Sequence, residues 1–215
     1  MPERIEISFI IDNSGSMNAS KIEAARKALA VTLLSIDDFN GYLKSNSEQL
    51  NQKVEVLSET WFFGSQYYTV KEFNDNSANE KEKSDIIRSI VKLDATDGAT
   101  DDGSCLMEIS NRITTIQERK LKEQKQIKII FEITDGASSF PGAAKDAIKD
   151  LLYKNVEVYS FQMGKSNEQN EKTFNFIWNE GYKQPHGVII GEQVEKLPKE
   201  LLKLVEKKMR SIFSN

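Results

Sequence analysis

Cysteine is nearly absent. Cys105 stands alone among 215 residues, so no intramolecular disulfide can form, and the composition suits a reducing compartment. Histidine is as scarce: His186 is the one imidazole, and it lies far from the segments rich in oxygen donors, which leaves them without the commonest general base. There is no Gly-rich phosphate loop with its lysine and no second carboxylate cluster suited to a pair of metal ions. Positive charge is not in excess either. The formal balance is -4, and no basic stripe interleaved with aromatic residues marks a nucleic-acid surface. No apolar run approaches bilayer-spanning length, and Met1-Pro2-Glu3-Arg4 runs straight into a strand-like segment without a signal-type leader. These absences argue against a disulfide scaffold, a direct nucleic-acid binder and a membrane-spanning protein. The cytoplasm is the expected location.

With 39% hydrophobic and 29% charged residues, the chain is long enough to bury one good α/β core and too short for two comfortable ones, so one domain over residues 1–215 is expected. Strand-like and helix-like segments alternate, which is the pattern of a parallel sheet covered on both faces. Ile5 to Ile11 reads as the first strand. Ile22, Ala25, Leu29, Leu33 and Ile36 recur at helical spacing after it. Val54 to Phe63, Gly64-Ser65 and Tyr68 to Phe73 read as a hairpin, which makes the later strand antiparallel to its neighbours. Asn74 to Glu82 is polar and reads as a loop before a helix carrying Ile86, Ile87, Ile90 and Leu93. One further helix after Thr100 is expected to carry Leu106, Ile109, Ile113 and Ile116 on one side. Ile127 to Ile133 reads as a central strand, and Pro141 opens a helix to about Tyr153. Strands at Val156 to Phe161 and Val188 to Ile190, a helix around Phe174 to Trp178 and a closing helix from Leu197 to Phe213 complete the pattern. The expected class is therefore α/β, with a doubly wound, mostly parallel sheet, one antiparallel edge strand and helices on both faces.

Asp12-Asn13-Ser14-Gly15-Ser16 sits where the first strand stops. One carboxylate and two hydroxyls at alternate positions make an all-oxygen donor set, which suits a hard divalent ion: magnesium or manganese, with calcium also admissible, before zinc. Gly15 lets the backbone bend so that both hydroxyls turn toward one point. The same residues suit, about equally well, an ordinary turn followed by an N-cap at Ser20. Two more segments bear on the choice. Asp97-Gly98-Ala99-Thr100-Asp101 opens a helical pattern, and Thr134-Asp135-Gly136 ends a strand-like run on an aspartate.

Taken together, Asp12-x-Ser14-Gly15-Ser16, Thr100 in its Gly-x-Thr-Asp setting and Thr134-Asp135-Gly136 resemble the von Willebrand factor A domain, in the family's order and over nearly the whole chain. The resemblance implies a Rossmann-like fold with a metal-ion-dependent adhesion site, in which Asp12, Ser14, Ser16, Thr100 and Asp135 hold the cation directly or through water. A partner's carboxylate would take the remaining position. It further implies an intracellular, non-enzymatic protein-interaction module within a multiprotein assembly. The ending, a short apolar strand followed by Lys196-Leu197-Pro198 and a helix, resembles the members that act beside AAA-type ATPases. The alternative is a magnesium- or manganese-dependent hydrolase or phosphoryl-transfer enzyme using the same ligands.

Other residues have plainer readings. Cys105 is expected as a small buried residue, and His186 as structural or surface. Asp101 and Asp102 most simply serve the positive end of the following helix, the sharper reading being an acidic rim with Asp97. Trp61 and Trp178 are expected in the core. The lysines along Lys199 to Lys208 are expected on the solvated side of the closing helix rather than against lipid.

Overall fold

The computed structural model describes residues 2–46, 54–74, 79–136 and 138–213. β1 (Arg4–Asp12) leads through α1 (Ala19–Ser45) to β2 (Glu55–Phe63) and β3 (Tyr67–Lys71). After α2 (Glu80–Val91), α3 (Asp102–Asn111) and α4 (Thr115–Lys122) come β4 (Gln126–Thr134), α5 (Pro141–Tyr153), β5 (Glu157–Met163), α6 (Glu168–Trp178), β6 (Gly187–Gly191) and α7 (Leu197–Phe213). The six strands lie in the order β3-β2-β1-β4-β5-β6. Only β3 is antiparallel to its neighbour, and it occupies an edge, as the Gly64-Ser65 turn suggested.

Side-chain alternation along the strands divides the core between two faces. Ile5, Ile7, Phe9 and Ile11 of β1, with Ile129, Phe131 and Ile133 of β4, pack beneath α1, α2 and α7. Ile10, Ile130, Val158 and Trp61 pack beneath α3, α5 and α6. The second face is not purely apolar. Glu6, Ser8, Glu59, Lys128 and Glu132 are buried on the strands there. Lys128 Nζ lies 3.3 Å from Glu6 Oε2 and 3.4 Å from Glu59 Oε1, so most of this buried charge is paired, as burial of ions requires.

Three expectations are corrected. The helix expected after Thr100 is two helices: the backbone leaves α3 at Arg112, and Thr114 with Gln117 forms a capping box that starts α4 afresh. Ile116 is consequently exposed, as is Ile87 on α2. The N-cap of α1 is Asn18 rather than Ser20, its side chain accepting from the Lys21 amide. The polar stretch expected as loop through Glu82 is helical from Glu80; residues 75–78 lie outside the described residues.

α3 and α5 pack closely because Gly103 has no side chain. A Cβ there would meet Ala144 N of α5 at 2.8 Å, a backbone atom that cannot rotate away. Gly103→Ala is therefore expected to push the two helices apart at a cost of about 1–3 kcal/mol, despite alanine's better helix propensity. Thermal unfolding of the metal-free protein checks this: an unchanged melting temperature would show that the helix pair gives way freely.

Candidate functional site

Strand order reverses between β1 and β4, the place where open α/β sheets leave a crevice at the carboxyl ends of their strands. Asp12 ends β1 and Thr134 ends β4, so the two motif aspartates, Asp12 and Asp135, arrive at that crevice from adjacent parallel strands. Asp12 is fully buried. One of its carboxylate oxygens accepts the Ser14 amide at 2.8 Å, and the other accepts the Thr134 hydroxyl at 2.9 Å. The hydroxyls of Ser14 and Ser16 are 2.9 Å apart, and Ser16 donates to Asp135 Oδ1 at 2.8 Å. The other Asp135 oxygen, Oδ2, pairs with the Lys21 ammonium.

The middle loop is held by side chains whose role the motif reading did not include. Asn13 Oδ1 accepts the amides of Asp94 and Ala95 at 3.0 and 2.8 Å, and the backbones of residues 13–15 and 97 exchange hydrogen bonds. The hairpin turn presses on the other side, where a Cβ on Gly64 would overlap the Asp97 side chain. This carries Thr100 to the Thr-Asp-Gly loop. Thr100 Oγ1 lies 3.9 Å from the position of a Cβ on Gly136, and Ser139 N donates to Thr100 O at 2.8 Å. Asp12, Ser14, Ser16, Thr100 and Asp135 are therefore brought together at one end of the sheet. Among the described residues no three His, Cys, Asp or Glu side chains are grouped to hold a metal; a cation here would draw on two carboxylates and neutral hydroxyls.

Beneath this surface lies an acidic layer that the sequence reading did not identify. Asp101 caps α3, accepting the Ser104 amide at 3.1 Å, as expected of a carboxylate at a helix start. Asp102 does not form a rim. It is buried, bonded to the Ser138 hydroxyl and, at 2.9 Å, to the Gly103 amide. Burial pushes its carboxyl up to about 7, with Asp12 adding repulsion. Burial also raises Asp12, helped by nearby Asp135, and raises Glu132 well above the carboxylate range, helped by Asp102. Glu132 accepts the Ser160 hydroxyl at 2.9 Å through one oxygen, while the other has no hydrogen-bond partner among the described residues. Two clues in the sequence were available: Glu132 interrupts an apolar central strand, and Asp102 precedes the glycine that lets α5 cover it.

Elsewhere the plainer readings stand, except that Lys208 is not on the solvated side of α7: its ammonium pairs with Glu157 and lies over the Tyr159 ring. Cys105 is buried, with its thiol pushed up chiefly by burial, which leaves it unreactive. His186 Nδ1 lies 2.9 Å from Val158 O, and its ring meets Tyr182 edge-on. Trp61 and Trp178 are buried. A cleft of about 720 Å³, lined by Pro2, Gln126, Leu152, Val156 and Ile212, opens at the other end of the sheet from Asp12 and has no part in the motif. Among the described residues no helix is long and apolar enough to cross a membrane.

Comparison with known proteins bears on the same end of the sheet. An uncharacterized protein of Treponema pallidum (strain Nichols) is 34% identical over 202 residues, covering 94% of this chain and 34% of that protein. The chain thus spans about a third of the length of the curated relative it matches. Among solved structures, proximal thread matrix protein 1 from the mussel byssus, described with a zinc-occupied MIDAS motif, superposes with a TM-score of 0.67 at 16% identity, over 95% of this chain and 47% of that one. BatB from Bacteroides thetaiotaomicron gives a TM-score of 0.65 at 14% identity, over 98% of this chain and 100% of that one. At such identities the likeness is one of fold. The profile of the von Willebrand factor type A domain matches residues 6–181, and with its strand order, its lone antiparallel edge and its three loops meeting above β1 and β4, the chain belongs to that family.

Proposed function

We propose that this chain is a divalent-metal-dependent protein-interaction module, in which Asp12, Ser14, Ser16, Thr100 and Asp135 would hold the cation and an aspartate or glutamate of another protein would complete its coordination. The observation that carries this reading is the convergence of three loops on the β1/β4 crevice with an oxygen-only donor set. Such donors suit a hard ion, and hydroxyls add oxygen without adding charge, so a bound ion retains affinity for one more anionic ligand. Magnesium or manganese is the ion we favour; the zinc in the mussel protein's motif supports a divalent ion of some kind.

The surroundings support binding to a protein surface. Phe140 precedes α5 just after the Ser139 that bonds Thr100, and its ring is exposed, an aromatic contact beside the proposed metal position. The single cysteine is consistent with work in a reducing, cytoplasmic setting, and an AAA-type ATPase is the partner class to test first. We read the chain as a binder rather than an enzyme.

Calorimetric titration with manganese and magnesium tests the site, and capture of partner proteins with and without chelator tests the role. Saturable one-to-one metal uptake and chelator-sensitive capture are expected. Metal-dependent turnover of a phosphatase substrate that disappears when Asp12 is replaced would favour the hydrolase instead.

A further inference from the structure

Lys21 is out of place by the ordinary rules of helix design. It occupies the first turn of α1, a 27-residue helix with no acidic residue in that turn, where a positive charge opposes the helix dipole. Its ammonium does not extend into solvent. The side chain is 15% exposed, and its Nζ donates to Ser16 O at 2.9 Å and pairs with Asp135 Oδ2, whose carboxylate is 1% exposed. The path of the stem is walled by Gly164 at the end of β5, where φ is +85° and an added Cβ would lie 2.6 Å from Lys21 Cε. A cation of the protein's own is thus directed to one of the two carboxylates, past a glycine that leaves it room.

We propose that Lys21 is a tethered competitor of the divalent ion: it neutralises Asp135 in the metal-free protein and lowers the site's affinity for metal. The proposal rests on the metal-binding reading above. Its physical basis is charge. With Asp12 and Asp135 ionised, the metal-free cluster carries one net negative charge rather than two, and the ammonium repels an incoming cation at close range in a partly desolvated setting. A second consequence follows from the same sum. A divalent ion beside two carboxylates and one ammonium leaves one positive charge over, which an external carboxylate would neutralise. Lys21 thereby couples metal uptake to acidic-ligand uptake, each strengthening the other.

The test is manganese titration of wild type and K21M by calorimetry, without and with acetate at equal concentration, together with melting curves in chelator and in saturating manganese. K21M is expected to bind manganese on the order of tenfold more tightly. It is expected to melt lower than wild type in chelator but not in manganese, and to show a smaller tightening by acetate. K21R, which keeps the charge, is expected to stay near wild type, and K21Q gives the same readout as K21M if the latter does not fold. Uptake by K21M but not by wild type would also support the proposal. Equal or weaker manganese binding by K21M, an equal loss of melting temperature in both conditions, or an equal acetate effect would overturn it while leaving the cation site intact. Failure of every variant and of wild type to take up manganese would remove both this proposal and the reading beneath it.

Discussion

Asp12→Asn is expected to lower manganese affinity by on the order of a hundredfold or more, because it removes one of two anionic donors from the proposed site while preserving shape. The substitution is chosen for what it keeps. Asparagine's carbonyl oxygen still accepts the Ser14 amide, and its amide can donate to the Thr134 hydroxyl, so both contacts of the carboxylate have replacements. Metal-free stability at neutral pH is expected to hold or rise. Burial raises the Asp12 pKa, with Asp135 adding to it, so the ionised carboxylate opposes folding above the ordinary aspartate range. Calorimetry and a chelator-containing melt measure the two halves separately. Undiminished manganese uptake by a folded Asp12→Asn protein would exclude Asp12 as a ligand.

The second large effect concerns Asp102, which touches no motif residue through its own carboxylate bonds yet lies beneath them. Its folded pKa is about 7 against an ordinary 3.8. Below about pH 4 the carboxyl is protonated in both folded and unfolded chains and imposes no penalty. Between roughly 4 and 7 the unfolded chain releases the proton while the folded chain keeps it, so stability falls as pH rises through that window. Above about 7 the full penalty is present, on the order of 4 kcal/mol. Asp102→Asn retains an oxygen for Ser138 and Gly103 and removes the charge. It is expected to stabilise the metal-free protein at pH 7.5 by about 2–4 kcal/mol, or roughly 5–10 °C in melting temperature for a chain of this size. It should also flatten the decline between pH 4 and 7. Residual slope is expected, since Asp12 and Glu132 are raised in the same direction. A variant that melts lower at pH 7.5 with an unaltered pH profile would mean that Asp102 stays ionised and well solvated.

A layer of raised carboxyls beneath the three loops also gives the family fold here a particular character. The loops are positioned by neutral hydrogen bonds in which Asn13 accepts the Asp94 and Ala95 amides and Ser139 accepts the Thr100 amide, while the buried charge below works against folding at neutral pH. Stability is thereby relinquished close to the place where an external ligand would restore it, a common arrangement at functional sites.

Much of this was legible without coordinates, and the division follows the range of the forces involved. Strand periods, the hairpin at Gly64-Ser65, the Pro141 helix start and the run Asp12-Ser14-Ser16 depend on residues close together in the chain, and all appear where expected. The break between α3 and α4 was also written locally, in Thr114 and Gln117, but the continuing apolar spacing of Ile113 and Ile116 obscured it. Lys21 and Asp102 were different in kind. Local rules marked the first only as a cation at the wrong end of a helix, without naming its partner, and made the second a helix-start charge.

What the order of amino acids determined by itself was the alternation of elements, the faces they bury and the oxygen-bearing tips of three loops, because each follows from backbone preference and near-neighbour periodicity. What only the tertiary structure decided was which charges those loops enclose. Lys21 meets Asp135 across 114 positions of chain, and Asp102 is buried beside Gly103, where α3 and α5 pack closely. Desolvation and charge pairing depend on every neighbour in space, so they are set by packing and cannot be read from one segment at a time.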